Sequence, residues 1–366
     1  MSTMKDVAKK AGVSVATVSY AINGTKALSP ETLAKVRAAI KELKYSPDQT
    51  AKSFKTGRKH IIAFIVPDIS NNYFSNIIDS LEQELRNSGY TLIITNTKES
   101  LDLEIEQLKY LTSGIVDGIV LASSAKNYKE IAPYIPAGFP VILVDRKLKG
   151  CPFDIISVSD TDAIEQGMDY LLSCGHTKIG YIGDAPHLST SKERLQAYMD
   201  FLTEHDLPVD HDRIKETTSL THSAYDLTGQ LLAQSCTALV IGNNVMTVDA
   251  CCYLNQHHAD YPNARLLGYQ HKDLCRLFSS DDGIIVQNEY DMGISAARQI
   301  LNRIQEPESS RKELSFITNI PVRTSRNKTQ HLPLAFFPAY SGIQKSHMNC
   351  VVHIWNHTVP YGIFIF

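Results

Sequence analysis

Two kinds of apolar period divide the chain. Between Lys5 and Leu43 the apolar positions recur at helical spacing. Val7, Ala8, Ala11 and Val13 mark a first short helix. Gly12 supplies a break, because glycine tolerates the backbone angles that end a helix. Ser14 stands where a second helix needs its N-cap, and Val18, Ala21 and Ile22 form that helix's apolar stripe. A third helix is expected from Pro30 to Leu43, capped by Ser29, with Leu33, Val36, Ile40 and Leu43 buried. From Ile61 the pattern changes to short apolar runs alternating with amphipathic stretches. IIAFIVPD, YTLIITN, GIVLA, PVILVD, KIGYIG, ALVIG and RLLGY read as strands. Phe74–Leu85, Leu101–Leu111, Thr161–Leu172, Glu193–Thr203, Ala224–Leu232 and Val248–Asn255 read as helices. Such alternation builds parallel α/β sheets, so the pattern predicts an all-α head followed by an α/β core.

Two stretches fit neither period. Tyr45 to Lys59 has a linker's composition, although Asp48 through Phe54 could make one short helix. A helix of about two turns is marginal in water by itself. Residues 326–366 show no clean period, hold the only Trp and end in the apolar GIFIF. This tail is either an acquired docking element or the product of a reading-frame change, and its uncharged β-prone end is an aggregation risk.

Charge sharpens the division. The formal net charge is only -3, yet residues 1–60 hold ten Lys and two Arg against two Asp and two Glu. A basic head on an acidic body fits a nucleic-acid-binding domain joined to one that does not touch nucleic acid. Two short helices joined through a glycine-containing turn read as a helix-turn-helix, whose second helix enters the DNA major groove. Its outward residues would be Val15, Ala16, Thr17, Ser19 and Tyr20; the alternative is an ordinary surface helical hairpin. No apolar run suits a signal peptide or approaches the roughly 20 residues of a membrane span. Seven cysteines without a CxxC pair imply reduced thiols, and the expected location is the cytoplasm.

The wording of the head is more specific than its geometry. DVAKKAGVSVATVSYAING, followed by LSPETLAKVRAAIKELKYSPDQTAKS, resembles the lactose-repressor/galactose-repressor family of bacterial transcription regulators. The resemblance continues, more thinly, to about Arg323–Ser325. It implies a helix-turn-helix head at 1–45, a hinge at 46–60 and a two-lobed α/β core of the type I periplasmic-binding-protein kind at 61–325. Lobe 1 would hold about 61–159 and 290–319, and lobe 2 about 160–289 and 320–325, with crossings near Asp160, Glu289 and Ile320.

It further implies a homodimer on double-stranded operator DNA, controlled by a small sugar-like effector, with no cofactor, no metal and no membrane. The first lobe, including the helix from Phe74 to Leu85, is the expected dimer surface. The DNA-binding set becomes Ser14, Val15, Ala16, Thr17, Ser19, Tyr20, Asn23, Phe54 and Lys55. Val15, Ala16 and Tyr20 would face bases, and Thr17, Ser19 and Asn23 phosphates. In the family the hinge orders on the operator and inserts an apolar wedge into the minor groove. That wedge falls on Phe54, where leucine is usual; Asp48 and Thr50 also depart from the family's Asn and Val. A solute-binding protein is the rival reading, and the basic head opposes it.

Ligand sites in two-lobed α/β proteins lie between the lobes at strand C-terminal ends. Four groups fall there: Asn71, Asn72, Tyr73 and Phe74; Asp145 and Arg146; Arg194; and Asn243 with Asn244. In the family these positions line the effector pocket, with the Arg194 position as principal anchor. The effector-binding set is therefore Asn72, Tyr73, Phe74, Asp145, Arg194, Asn243 and Gln270. Alanine at Arg194 or Asp145 is expected to abolish ligand response and spare DNA binding. Three departures qualify this: the family usually has aspartate at the Asn244 and Gln270 positions, and glycine at Ala197. Amides offer donor and acceptor together where carboxylates only accept. The expected ligand is then less like a neutral sugar, or anionic, unless the pocket is degenerate. Cys251, Cys252, His257 and His258 lack the tight pairing of zinc ligands. Asp281-Asp282-Gly283 reads as a turn, and no Gly-x-Ser-x-Gly elbow or Gly-rich phosphate loop suggests an enzyme.

Overall fold

The structure, a computed structural model, describes residues 2–45, 57–275, 278–279, 281–318 and 320. Phe54 and Lys55, together with the hinge helix expected around them and the whole 326–366 tail, lie outside the described residues.

The head is three helices, α1 (Met4–Ala11), α2 (Val15–Asn23) and α3 (Pro30–Glu42). Each begins where a side chain satisfies a backbone N–H that the helix cannot. Thr3 and Asp6 form a reciprocal capping box on α1, Ser14 accepts from the Thr17 amide, and Ser29 accepts from the Thr32 amide. Gly12 ends α1 at φ 67°, a left-handed angle that a side chain would disfavour, and so aims the chain into α2. Val7, Ala8, Val18, Val36 and Ala39 are the buried centre, with Ile40 and Leu43 packed at its edge. On α3 it is Ala39, not Leu33, that joins Val36 inside, because three short helices can approach closely only over small side chains.

The core holds two parallel sheets. In the first, strands β1 (Ile61–Val66), β2 (Thr91–Asn96), β3 (Gly118–Leu121), β4 (Val141–Val144), β5 (Asp154–Ser159) and β11 (Glu313–Ile317) run in the order β2-β1-β3-β4-β5-β11. In the second, β6 (Ile179–Gly183), β7 (Ile214–Glu216), β8 (Ala238–Ile241), β9 (Arg265–Tyr269) and β10 (Gly283–Ile285) run β7-β6-β8-β9-β10. Every described pairing is parallel. Parallel strands need crossover helices on both faces, which is why the central strands are apolar without alternation. Phe64 of β1 packs with Ile77 and Ile300 on one face, and Ile65 packs with Leu108 and Leu143 on the other.

The covering helices are α4 (Asn72–Asn87), α5 (Leu101–Thr112), α6 (Thr161–Ser173), α7 (Ser189–Glu204), α8 (Ala224–Ala233), α9 (Asn244–Gln256) and α10 (Glu289–Gln305). Helix α7 starts four residues before the expected Glu193, with no side-chain cap at Leu188 to announce it. Helix α9 starts four before Val248, because the Asn243 side chain caps it through the Met246 amide.

The chain passes between the lobes three times. It leaves β5 at Ser159 and enters α6 at Thr161, returns between β10 and α10 at 286–288, and leaves β11 at Ile317 to pack Ile320 against the second lobe. The paired strands β5 and β11 end together, and Thr318 donates its amide and hydroxyl to the Ser159 carbonyl. Two of the three connections thus run side by side.

Candidate functional site

One face of the head is open. Ser14, Val15, Ala16, Tyr20 and Asn23 are exposed along α2 while Val18 is fully buried behind them. Val15 and Tyr20 are exposed large apolar groups on this one short helix, which suits a surface that meets a partner. The Lys26 ammonium lies 5.8 Å from the centre of the Tyr20 ring. The other named positions are engaged within the head. Thr17 Oγ1 is 2.9 Å from Ser14 Oγ, and the Asn23 amide donates to the Ser19 carbonyl and hydroxyl at 2.9 and 3.2 Å. Thr17 and Ser19 are half-buried, so they support the face more than they present it.

Between the lobes lies a cavity lined from both sides. Tyr73 and Phe74 come from the start of α4, and Asp145 and Arg146 from the end of β4. Arg194 and Ser191 come from α7, and Asn243 and Asn244 from the cap of α9. Asp68, Glu99, Asp184 and Gln287 complete its polar wall. It contains only about 40 Å³ of free space, whereas small-molecule pockets usually offer several hundred. The lobes are clasped over it. The Asn244 amide donates to Asn71 Oδ1 at 2.8 Å, and the Lys147 backbone N–H donates to Ser189 Oγ at 2.8 Å.

The charged groups are spoken for in pairs. Arg146 makes a forked bond to Glu99, 2.7 and 2.6 Å, and also donates to the Ser123 carbonyl. Arg194 reaches Asp160 Oδ2 through Nε and Nη2, both at 2.6 Å, and gives Nη1 to the Gly242 carbonyl. Its guanidinium also lies 4.2 Å from the centre of the Tyr269 ring. Lys98 holds Asp68 at 3.0 Å. Burial pushes Asp68 up, but hydrogen bonds from Ser70 and Lys98 outweigh it and hold the carboxyl below its usual range. Asp145 is different. It is 7 % exposed, sits at φ 70°, and accepts only from the Tyr73 hydroxyl, at 2.8 Å. Burial pushes its carboxyl above the usual range, against the opposing pull of Arg146 and Arg194.

Of the residues named from the sequence, Tyr73, Phe74, Asp145, Arg194 and Asn243 share this cavity. Asn72 does not: it is the first exposed residue of α4, and Asn71 before it turns inward as the cap. Gln270 is buried but outside the lining. Its backbone N–H is taken by Ile285 in the sheet, and its side chain folds onto the His271 amide. Asp68, Glu99, Asp184 and Gln287 in the lining, and Asp160 behind Arg194, escape the sequence reading of the site, because an acid or amide in a loop looks solvated until its partner is placed. With them the wall holds more carboxylates than the sequence reading placed there, beside Arg146 and Arg194.

A second, wider cavity of about 590 Å³ opens beside the middle connection, lined by Asn76, His271, Lys272, Gln287 and Glu289 among others. Glu289, at the start of α10, is buried, and burial pushes its carboxyl up to about 7, despite its own backbone N–H and Lys272. A carboxyl with a raised folded-state value costs nothing below its unfolded value of 4.5, and its full cost appears above about 7. Stability should therefore fall as pH rises across that window. Glu289→Gln should flatten this part of the profile and gain on the order of 1–3 kcal/mol near pH 8. Chemical denaturation across the window checks it, and an unchanged profile in the variant would mean that the carboxyl is better solvated than its burial implies.

Among the described residues no helix is long and apolar enough to cross a membrane. Among the same residues, no group of three or more His, Cys, Asp or Glu side chains is arranged to hold a metal ion.

Comparison with known proteins gives two family matches. Residues 59–320 match the periplasmic binding proteins and sugar binding domain of the LacI family, and residues 3–48 match the bacterial regulatory proteins of the lacI family. The chain is 30% identical over 341–348 aligned residues to two Pectobacterium proteins named HTH-type transcriptional repressor PurR. For that of Pectobacterium carotovorum the match covers 91% of this chain and 98% of the relative. A LacI family transcriptional regulator from Enterococcus faecium, solved with bound ribose, is similar at 25% identity and TM-score 0.63, over 72% of this chain and 97% of that one. The Lac repressor bound to ONPG shares the fold at TM-score 0.76 and 19% identity, over 88% of this chain and 99% of that one.

Proposed function

Since this chain belongs to the lacI family of bacterial regulatory proteins, we propose that it is a cytoplasmic homodimeric repressor governed by a small sugar-like ligand. Residues 1–45 serve as the DNA-binding head, 46–60 as the hinge with Phe54 as minor-groove wedge, and 61–325 as the ligand-binding and dimerisation core. The ligand lies between the lobes against Tyr73, Phe74, Asp145, Arg194 and Asn243. A ribose-bound relative supports a ligand of sugar size.

The observation that carries the regulatory half is the double clasp across the cavity. With about 40 Å³ between them, the lobes must part before a sugar can enter. Doing so breaks Asn244 to Asn71 and Lys147 to Ser189, and the ligand then supplies its own bridges. The lobe angle with ligand therefore differs from the angle without it. That difference is a coupling free energy between the cavity and whatever the core positions. A single head binds weakly, so a change in the spacing of two heads is enough to change operator occupancy.

The test is selection of binding sites from random duplex DNA with the full-length protein, followed by titration with candidate ligands. A two-fold symmetric site is expected, with affinity falling steeply as salt rises. Tyr20→Arg should move the preference at one base pair of each half-site toward G·C, since arginine can make the forked contact with guanine that tyrosine cannot. Indistinguishable sites for the two proteins would remove Tyr20 from the reading face. Absence of any preferred duplex would sink the proposal as a whole.

A further inference from the structure

The interlobe cavity carries more negative charge than its own cations can neutralise. Five carboxylates stand in or directly behind its wall: Asp68, Glu99, Asp145, Asp160 and Asp184. Three cations answer them, each in a distinct close pair: Lys98 with Asp68 at 3.0 Å, Arg146 with Glu99 at 2.6 Å, and Arg194 with Asp160 at 2.6 Å. Among the described residues Asp145 shares only the distant Nε of Arg146, at 3.7 Å, and Asp184 has no ion-pair partner. Asp184 accepts only from neutral groups, the Ala185 amide and the Asn243 side chain. Asp145 accepts from the Tyr73 hydroxyl through Oδ1. Among the described residues nothing donates to its Oδ2; Arg146 Nε is 3.7 Å away and its guanidinium is turned to Glu99. A carboxylate that is more than nine-tenths buried and half unpartnered costs stability unless something compensates it.

Two further atoms qualify the chemistry. Arg146 Nε and Gln287 Nε2 are buried donors without an acceptor among the described residues, and both side chains line the same cavity. Donors of this kind want hydroxyl or ether oxygens, and the buried rings of Tyr73 and Phe74 add aromatic surface to the same wall. We propose that the effector is a polyhydroxylated amine, of the amino-sugar class, whose ammonium sits between Asp145 and Asp184 while its hydroxyls meet Arg146 and Gln287. This rests on the reading of the cavity as the effector site. It excludes sugar phosphates and sugar acids, whose charge would face two uncompensated carboxylates.

The full-length protein is titrated with glucosamine, galactosamine and mannosamine, with the neutral parent hexoses and with glucose 6-phosphate, by calorimetry and thermal denaturation. At least one amine is expected to raise Tm by roughly 2–4 °C at saturating concentration, with its parent hexose at least tenfold weaker and the phosphate without effect. Asp184→Asn keeps the acceptor for Asn243 and removes the charge, so the amine's advantage over its parent should shrink about tenfold. An equal or stronger response to a neutral hexose, a response to the phosphate, no response to any of the three amines, or an undiminished amine preference in Asp184→Asn each overturns the proposal. Operator binding is measured separately without ligand. Selective operator binding alongside a neutral-sugar response rejects the amine and leaves the repressor standing; an amine response without operator binding does the reverse.

Discussion

Arg194→Ala is expected to destabilise the second lobe by about 3–5 kcal/mol, a loss large enough to mask any effect on ligand response. The guanidinium is buried, and it spends three nitrogens on Asp160 and the Gly242 carbonyl while lying against Tyr269. Removing it strands the Asp160 carboxylate, itself 5 % exposed, at the first connection between the lobes. Breaking one side of a buried pair costs more than removing both, because the survivor keeps its desolvation penalty. The double variant Asp160→Asn with Arg194→Met should therefore recover most of the lost stability. Urea denaturation of wild type, single and double variants, followed by circular dichroism, measures this. A single variant within about 1 kcal/mol of wild type would show that the pair contributes little. The sequence-based expectation that Arg194→Ala would report on ligand response alone is thus revised: this arginine is part of the frame as well as of the cavity wall.

Gly293→Ala should cost about 3–5 kcal/mol, beyond the roughly 1–3 usual for overpacking, although only one methyl group is added. Helices α4 and α10 cross at this residue. A β-carbon there would collide with Ser80 Oγ and the Ile77 carbonyl oxygen and come within 2.9 Å of the Leu81 amide nitrogen. Two of those three obstacles are backbone, which cannot swing aside as a side chain would. Ser80→Gly in the same chain should restore only part of the loss, since it clears one obstacle of three. Thermal denaturation of the single and double variants decides the matter. Full rescue by Ser80→Gly would mean that the helix backbones are free to separate.

How much of this was open to the sequence depends on where each residue sits. The central strands are legible because both of their faces are buried, and IIAFIV, VILV and ALVI show as unbroken apolar runs. Strand β11, ELSFI, is not. It lies at a sheet edge with Leu314 and Ile317 exposed, and polar residues interrupt it, so it shows no unbroken apolar run. Strand β5 opens on Asp154, which reads as a turn residue and is in fact buried beneath Arg303. Helix α10 hides for the opposite reason. Its inner face carries Met292, Ile300 and Ile304, but Gly293, Ala296, Ala297 and Gln299 lie between them and break the stripe of large apolar residues. In the cavity, the strand-end rule reaches Tyr73, Phe74, Asp145, Arg194 and Asn243, since each follows an obvious apolar run or opens a helix after one. Asp184 and Asp160 also stand at strand ends, after β6 and β5, but a lone acid there reads as a solvated turn until the charges around it are placed. Asn72 lies one residue from the inward-turned Asn71, and Gln270 folds onto its own loop.

The split order of the first lobe has a consequence for how the protein is made. Thr161 to Ile285, the second lobe, is one continuous stretch of chain. The first lobe must wait, because α10 and β11 arrive only after the second lobe has been synthesised. Roughly 150 residues separate β5 from its partner strand, which at 5–20 residues per second is about 8–30 s of translation. Through that interval the apolar flank around Phe64, Val120, Ile142 and Ile156 lacks the cover that Met292, Ala296 and Ile300 later provide. On the ribosome the order of emergence and the order of completion are therefore inverted: the lobe begun first is the one finished last, and its half-built sheet is the surface a nascent-chain chaperone would meet.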